Sequence, residues 1–396
     1  MFLLNSSPDH GRPLDADDAA IFAPDQVAEV ERLLAQRDNH APTPLRALRG
    51  LAGTLGIGSL HVKDESFRLG LGSFKALGGS YAVIRLALEE AGRQLGRTIG
   101  ADELASDEVR RITSGMTFGC ATDGNHGKSV AAGARLVGGK AVIFVHSGVT
   151  DERVDAIAQF GAHMVRVEGT YDDSVAEATR VCAENGWQVV SDTSWPGYER
   201  IPGLVMQGYT AMLAEAVREL PEPPTHVLVQ AGVGGLAAAV AGYFDVVYGD
   251  KRPRFAVVEP DRADCLYQSA VKGAPTRIAH GEPTIMAMLE CYEPSLVAWR
   301  ILVRKADAFV TVSEDEAAEA MRILARPTAG DAAIVAGESG AASLAGLRHV
   351  LADAASRKAF GLDAHSRVFL INTEGATDQA RYREIVGADP ATIAAS

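Results

Sequence analysis

Lys75 is the residue best placed to do chemistry in this chain, fenced by glycines in Gly70-Leu71-Gly72-Ser73-Phe74-Lys75-Ala76-Leu77-Gly78-Gly79. Leu77, Tyr81, Ile84, Leu86 and Leu88 recur at roughly helical spacing as far as Gly92, and Ser73 is a natural N-cap. The lysine therefore falls in the first turn of a helix. The partial positive charge of a helix N-terminus opposes an ammonium, so this position is expected to lower the lysine pKa and favour the neutral amine. A neutral amine is a nucleophile suited to Schiff-base chemistry. A solvated surface lysine is the bland alternative for the position taken alone.

Three further turns carry groups that can act on a substrate near such an amine. Gln230-Ala231-Gly232-Val233-Gly234-Gly235-Leu236 follows a strand pattern and opens a helix, so its backbone N–H groups can converge on an anion, a phosphate above all. The spacing lacks the third glycine of a dinucleotide fingerprint, and no GK[ST] follows as in a P-loop. A tight strand-to-helix turn is its bland reading. Thr122-Asp123-Gly124-Asn125-His126-Gly127 is a second glycine-fenced turn, suited to a carboxylate, in which Asn125 can bond a ring hydroxyl and Asp123 can serve as a base. An ordinary N-cap turn with a structural His126 is the alternative. Asp192 at a strand end, Glu338 in the glycine-marked turn Ala336 to Ala341, and Thr373-Glu374-Gly375 after the last strand complete the set.

The elements needed to position these groups alternate along the chain. After an irregular polar arm at 6–26 comes a short helix from Gln26 to Gln36, then a strand from Ser59 running into the lysine loop. Lys63, Asp64 and Glu65 at its end suit either a bracing salt bridge or a charged strand end. Strands are expected near Thr113–Ala121, Lys140–Val145, Ala162–Val167, Trp187–Ser191, Thr225–Gln230, Phe255–Glu259, Ala308–Val312 and Arg367–Ile371. Helices lie between them, among them Gly127–Val137, Tyr171–Glu184, Tyr209–Leu220 and Glu314–Ala325, and the tail from Asp389 reads as frayed. Such βα alternation implies mostly parallel sheets covered by helices, with ligands at the strand carboxyl ends.

The chain of 396 residues is long enough for two lobes, expected as a large unit of 1–85 with 193–396 and a small unit of 86–192 that carries the Thr122–Gly127 turn. Its net charge of −13, without a basic run, argues against nucleic acid as a partner. The absence of a long apolar segment argues against a membrane, and a soluble, cytoplasmic protein is expected. The four cysteines, Cys120, Cys182, Cys265 and Cys291, have no metal-ligand spacing, and a bridge between Cys265 and Cys291 stays open.

Together, Ser73-Phe74-Lys75, Asn125-His126-Gly127, Gly232 to Gly235 and Thr373-Glu374-Gly375 resemble the fold-type II pyridoxal-phosphate enzymes of the threonine dehydratase and tryptophan synthase β group. Within that group, Asp123, Ser191-Asp192-Thr193-Ser194-Trp195, Met206-Gln207-Gly208-Tyr209 and Tyr171-Asp172-Asp173 look like the 2,3-diaminopropionate ammonia-lyases, over residues 40 to 385. The resemblance implies an α/β fold of two lobes and a pyridoxal 5'-phosphate cofactor bound to Lys75 as a Schiff base. Phe74 would lie by its ring, Asn125 at its hydroxyl, Gly232, Val233, Gly234 and Gly235 at its phosphate, and Thr373 at its pyridine nitrogen. Lys75 would take the Cα proton of the L isomer of a small amino-acid substrate and Asp123 that of the D isomer, while Asp192 would pair with the β-ammonium. Substrate contacts would come from Ser73, Thr122, Asp123, His126, Tyr171, Asp192 and Glu338, and a homodimer is expected.

The products implied are pyruvate and two ammonia. A serine or threonine dehydratase, or a hydroxyaspartate ammonia-lyase, is the runner-up in the same fold, but two carboxylates suit a dicationic substrate better than a hydroxyl leaving group. An anion-binding protein without the cofactor is a different class, disfavoured by the intact Lys75.

Overall fold

The computed structural model describes every residue except Asp38, Asp123, Ala329 and Ser396. Among the described residues, eleven strands follow one another: β1 (Phe2–Leu4), β2 (Leu45–Ala47), β3 (Ser59–Asp64), β4 (Thr117–Ala121), β5 (Lys140–His146), β6 (His163–Val167), β7 (Gln188–Val189), β8 (His226–Gln230), β9 (Arg254–Pro260), β10 (Ala308–Val312) and β11 (Arg367–Asn372). They form a seven-stranded sheet in the order β1-β10-β9-β8-β11-β3-β2 and a four-stranded sheet in the order β6-β5-β4-β7. The small sheet is parallel throughout, and in the large one only the edge strands β1 and β2 run antiparallel.

The inner strands are buried on both faces because they carry apolar runs at their centres. In β8, Val227 and Val229 enter one core while Leu228 enters the other, and in β9 Phe255 and Val257 oppose Ala256 and Val258 in the same way. Each such side chain taken fully out of water contributes about 1.5–3 kcal/mol. Two-sided burial is what forces helices onto both faces of the large sheet. From β8 the chain steps outward through β9 and β10, whereas β11 and β3 lie on the other side, so the strand order reverses between β8 and β11. A crevice opens at the carboxyl ends there.

Three helices carry the site: Lys75–Leu95, Asn125–Leu136 and Arg200–Glu219. The first and third cross closely because glycine stands on both sides: a Cβ on Gly78 would lie 2.4 Å from the Tyr209 ring, and one on Gly208 would lie 2.8 Å from the Gly78 Cα. The expected helix from Tyr209 begins nine residues earlier, at Arg200, and carries Pro202 in its first turn, where a missing N–H costs nothing.

Some expectations fail at the periphery. The arm at 6–26, expected to be irregular, holds a helix over Ala16–Ala20, and the helix expected from Gln26 starts at Pro24; ahead of the arm, β1 pairs with β10. The expected frayed tail contains a short helix, Pro390–Ala394. All four cysteines are free thiols. No group of His, Cys, Asp and Glu among the described residues is arranged to hold a metal, and no described helix is long and apolar enough to cross a membrane.

Candidate active site

The lysine loop rests on a buried charge network. Arg68 Nε donates to Glu65 at 2.8 Å and its NH2 to Glu215 at 2.7 Å, and Lys63 Nζ reaches Glu215 at 2.9 Å. Lys63 and Glu65 at the end of β3 therefore brace the loop. Breaking such a buried group of charges costs about 3–5 kcal/mol, which holds the loop to one path. Leu69, at φ 52°, is the sole non-glycine residue of left-handed backbone among the described ones. The helix starts at Lys75 with Phe74 in the cap position and no side-chain cap. Ser73 does not cap it: it is buried and bridges to Glu374 across the crevice, and Phe74 N–H donates to the Thr373 carbonyl at 3.0 Å.

Lys75 Nζ donates to Asp192, which follows β7 on the small-sheet side. Burial opposes the ammonium, but the Asp192 carboxylate, with Tyr209, outweighs it and holds the Lys75 pKa above the ordinary lysine value. The expected lowering is thus overturned for the protein alone. A helix terminus contributes about 0.3–1 kcal/mol, less than a direct contact with a buried carboxylate. Burial likewise opposes the Asp192 carboxylate, and the Lys75 ammonium holds its pKa below the usual range. His126 Nε2 lies 2.8 Å from the Val190 carbonyl, and its Nδ1 lies 3.9 Å from Asp192 without a hydrogen bond among the described residues. Burial lowers the His126 pKa, so the ring is neutral and Nε2 carries the proton.

One pocket gathers Phe74, Lys75, Thr122, Asn125, His126, Tyr171, Asp192, Gly232, Val233, Gly234, Gly235 and Thr373. Among the described residues, the backbone N–H groups of Gly232 through Gly235 have no acceptor in the protein, and they stand at the start of the helix Gly235–Tyr248. Gly234 has φ +99°, and a Cβ on Gly232 would lie 2.8 Å from Cys291 Sγ. Orphaned donors in a turn that excludes side chains make an anion cradle. Thr122 lines this pocket and also ties down the turn it sits in. Its Oγ1 accepts from Gly124 N at 3.0 Å and Gly127 N at 3.1 Å, so it holds its own turn.

Asn125 Nδ2 donates to Glu374 Oε2 at 2.6 Å. Burial first, then the neighbouring Glu338, push the Glu374 pKa up to about 7. Glu338 and Ser73 are not among the pocket-lining residues; Glu338 stands buried close behind Glu374, its own pKa raised by burial. Asp123 lies outside the described residues.

Sequence reasoning gave no role to Tyr209, Gln230 or Glu374, nor to the segment Ala287 to Cys291 that lines the pocket from a loop. Tyr209, Gln230 and Glu374 all stand within or beside the motifs quoted above, and only that adjacency signalled them. The loop carries no motif.

Comparison with known proteins agrees with this geometry. Residues 37–374 match the family described as pyridoxal-phosphate dependent enzyme. The chain is 40% identical over 379 residues to diaminopropionate ammonia-lyase of Escherichia coli strain K12, covering 94% of each. The crystal structure of the Escherichia coli enzyme in complex with D-serine superposes with a TM-score of 0.87 at 37% identity, covering 98% of this chain and 96% of that one. The same enzyme in complex with an aminoacrylate-PLP azomethine reaction intermediate gives 0.86 at 38% identity, with the same coverage. An amine beside a carboxylate, an anion cradle and a neutral hydroxyl thus stand in a chain that belongs to the diaminopropionate ammonia-lyases, within the pyridoxal-phosphate dependent enzymes.

Proposed function

We propose that this chain eliminates both amino groups of 2,3-diaminopropionate, of either hand, with water consumed and pyruvate and two ammonia released. The observation that carries the reading is Asp192, a charged carboxylate in the pocket whose cationic partner is Lys75. Once Nζ is committed to the cofactor, that carboxylate is left to receive a second cation, and the β-ammonium of the substrate supplies one. A serine hydroxyl does not.

The residues present fit pyridoxal 5'-phosphate. The unpaired N–H groups of Gly232, Val233, Gly234 and Gly235 suit its phosphate, Lys75 Nζ its aldehyde carbon, Asn125 its hydroxyl and Thr373 its ring nitrogen. Bound there, the cofactor supplies an electron sink for the bond broken at Cα. Lys75 takes the Cα proton of the L isomer. With the substrate carboxylate anchored in one place, the D isomer presents its proton to the other face, and Asp123 is the base proposed for it. His126 and Tyr171 line the substrate side with Asp192.

Two lobes, 1–85 with 193–396 and 86–192, suit the separate sheets, since β4 to β7 all fall within 86–192. A cytoplasmic homodimer is part of the proposal. Four unbridged thiols suit a reducing compartment, and the exposed Phe67 and Val271 offer apolar surface to a second copy.

Pyruvate release from D- and L-diaminopropionate, serine and threonine, run side by side, tests the reading. Both diaminopropionate isomers are expected to be the best substrates, and a preference for serine or threonine overturns it. Asp123→Asn is expected to lose about 10²–10⁴-fold on the D isomer while keeping most activity on the L isomer. Equal losses on both would sink the two-base assignment.

A further inference from the structure

We propose that Gln230 is a positioning residue that commits the Thr373 hydroxyl to act as a hydrogen-bond donor into the pocket. The inference rests on the reading of Thr373 as the partner of the cofactor's ring nitrogen.

Gln230 ends β8 and is buried, yet it belongs to the pocket wall. Its Nε2 lies 3.0 Å from the Ser339 carbonyl, 3.1 Å from that of Gly340 and 3.0 Å from that of Ile371. Three carbonyls around one atom fix the amide orientation, since only the NH₂ end can donate to them. The same nitrogen lies 3.1 Å from Thr373 Oγ1. Against an NH₂ group, the hydroxyl oxygen can only accept.

The hydroxyl proton must then go elsewhere. Among the described residues no acceptor takes it, and Thr373 is buried except where it lines the pocket. Turning the O–H away from the pocket would bury an unpaired donor, which is unfavourable. Aimed inward, it suits an acceptor, namely a ring nitrogen without a proton. Gln230 Oε1 is itself buried without a donor among the described residues, so this amide is held for what its nitrogen does. A hydroxyl free to rotate would serve a protonated ring nitrogen as well, by accepting from it. By occupying one of the two acceptor positions on Oγ1, Gln230 biases the hydroxyl towards donating, which favours elimination over reactions needing a fully delocalised carbanion.

The test uses holoenzyme loaded with ring-15N pyridoxal phosphate, the 15N chemical shift reporting ring protonation across pH without substrate. Gln230→Met is expected to raise the ring-nitrogen pKa by about one pH unit, a tenfold change in the protonated ratio and the scale of one hydrogen bond. Thr373→Val should shift it similarly, Thr373→Ser should restore the wild-type titration, and the double variant should shift no further than Thr373→Val alone. An unmoved titration in Gln230→Met, or additive shifts in the double variant, overturns the proposal. If Gln230→Met does not fold, the Gln230 side-chain amide resonance decides. It is expected to move on cofactor loading in the wild type and stay still in Thr373→Val; equal movement in both overturns the proposal. Failure of diaminopropionate turnover would strike the substrate reading alone, because no substrate enters this measurement.

Discussion

Asp192, after β7 of the small sheet and half-buried, and Glu374, after β11 of the large one and fully buried, line the same pocket, yet they hold their protons differently. Asp192 lies against the Lys75 ammonium and has its pKa held low. Glu374 receives the neutral amide of Asn125 at 2.6 Å, has Glu338 behind it, and has its pKa pushed up to about 7. Burial pushes both carboxyls toward the neutral acid, so the partner decides the outcome. The small-sheet side offers a fixed negative charge that can hold a cationic leaving group. The large-sheet side offers a carboxyl that keeps its proton up to about pH 7 and can then donate a hydrogen bond as well as accept one.

Removing the cation that sets Asp192 apart has the largest expected effect. Lys75→Ala should lose the cofactor absorbance of the resting enzyme and about 10³-fold or more of pyruvate release, and the Asp192 pKa should rise toward that of Glu374. Direct titration of the variant's Asp192 carboxyl checks this, and an Asp192 that stays low would show that Lys75 is not its controlling partner. Asp192→Asn has the next largest effect. It keeps the shape and removes the charge, so KM for diaminopropionate should rise about 10- to 100-fold, the scale of one charge-assisted bond, with little change for serine. Equal KM changes for the two substrates would assign Asp192 to cofactor positioning instead.

The βα alternation, and with it both sheets, was legible in the sequence wherever strands are buried on two faces. Ala308–Val312 and Glu314–Ala325 have the expected bounds. What was not legible depends on partners far away in sequence. β1 has three residues and is made a strand by pairing with β10, and β2 is set by β3 in the same way. In the site, glycine turns and the helix-start lysine are local signals and could be read. The Lys75 pKa could not, because it is reversed by a contact with Asp192, 117 positions away. Gln230 and Glu374 were missed because their roles lie in what they touch: carbonyls beyond residue 338 for one, Asn125 for the other.

The Glu374 side of the comparison is sharpened by pH. Its folded-state pKa of about 7 exceeds its ordinary value of 4.5, so between those values the folded protein binds more protons than the unfolded chain. Its contribution is fully present below about pH 4.5 and is lost as pH rises through about 7. At 1.36 kcal/mol per pH unit this amounts to roughly 3 kcal/mol. Denaturant unfolding of the protein stripped of cofactor, followed from pH 4.5 to 8, should show that decline in the wild type, and Glu374→Gln should make it shallower by about that amount. Glu338→Gln has a smaller effect and is more discriminating. It leaves Glu374 buried but removes the second carboxyl, so the decline should persist with its upper limit moved down by about one pH unit, on the order of 1 kcal/mol. An unmoved limit would mean that burial alone neutralises Glu374, whereas a decline abolished by Glu338→Gln would make the carboxyl pair the controlling feature. Either result fixes how far a neighbouring charge, as opposed to burial, separates Glu374 from Asp192.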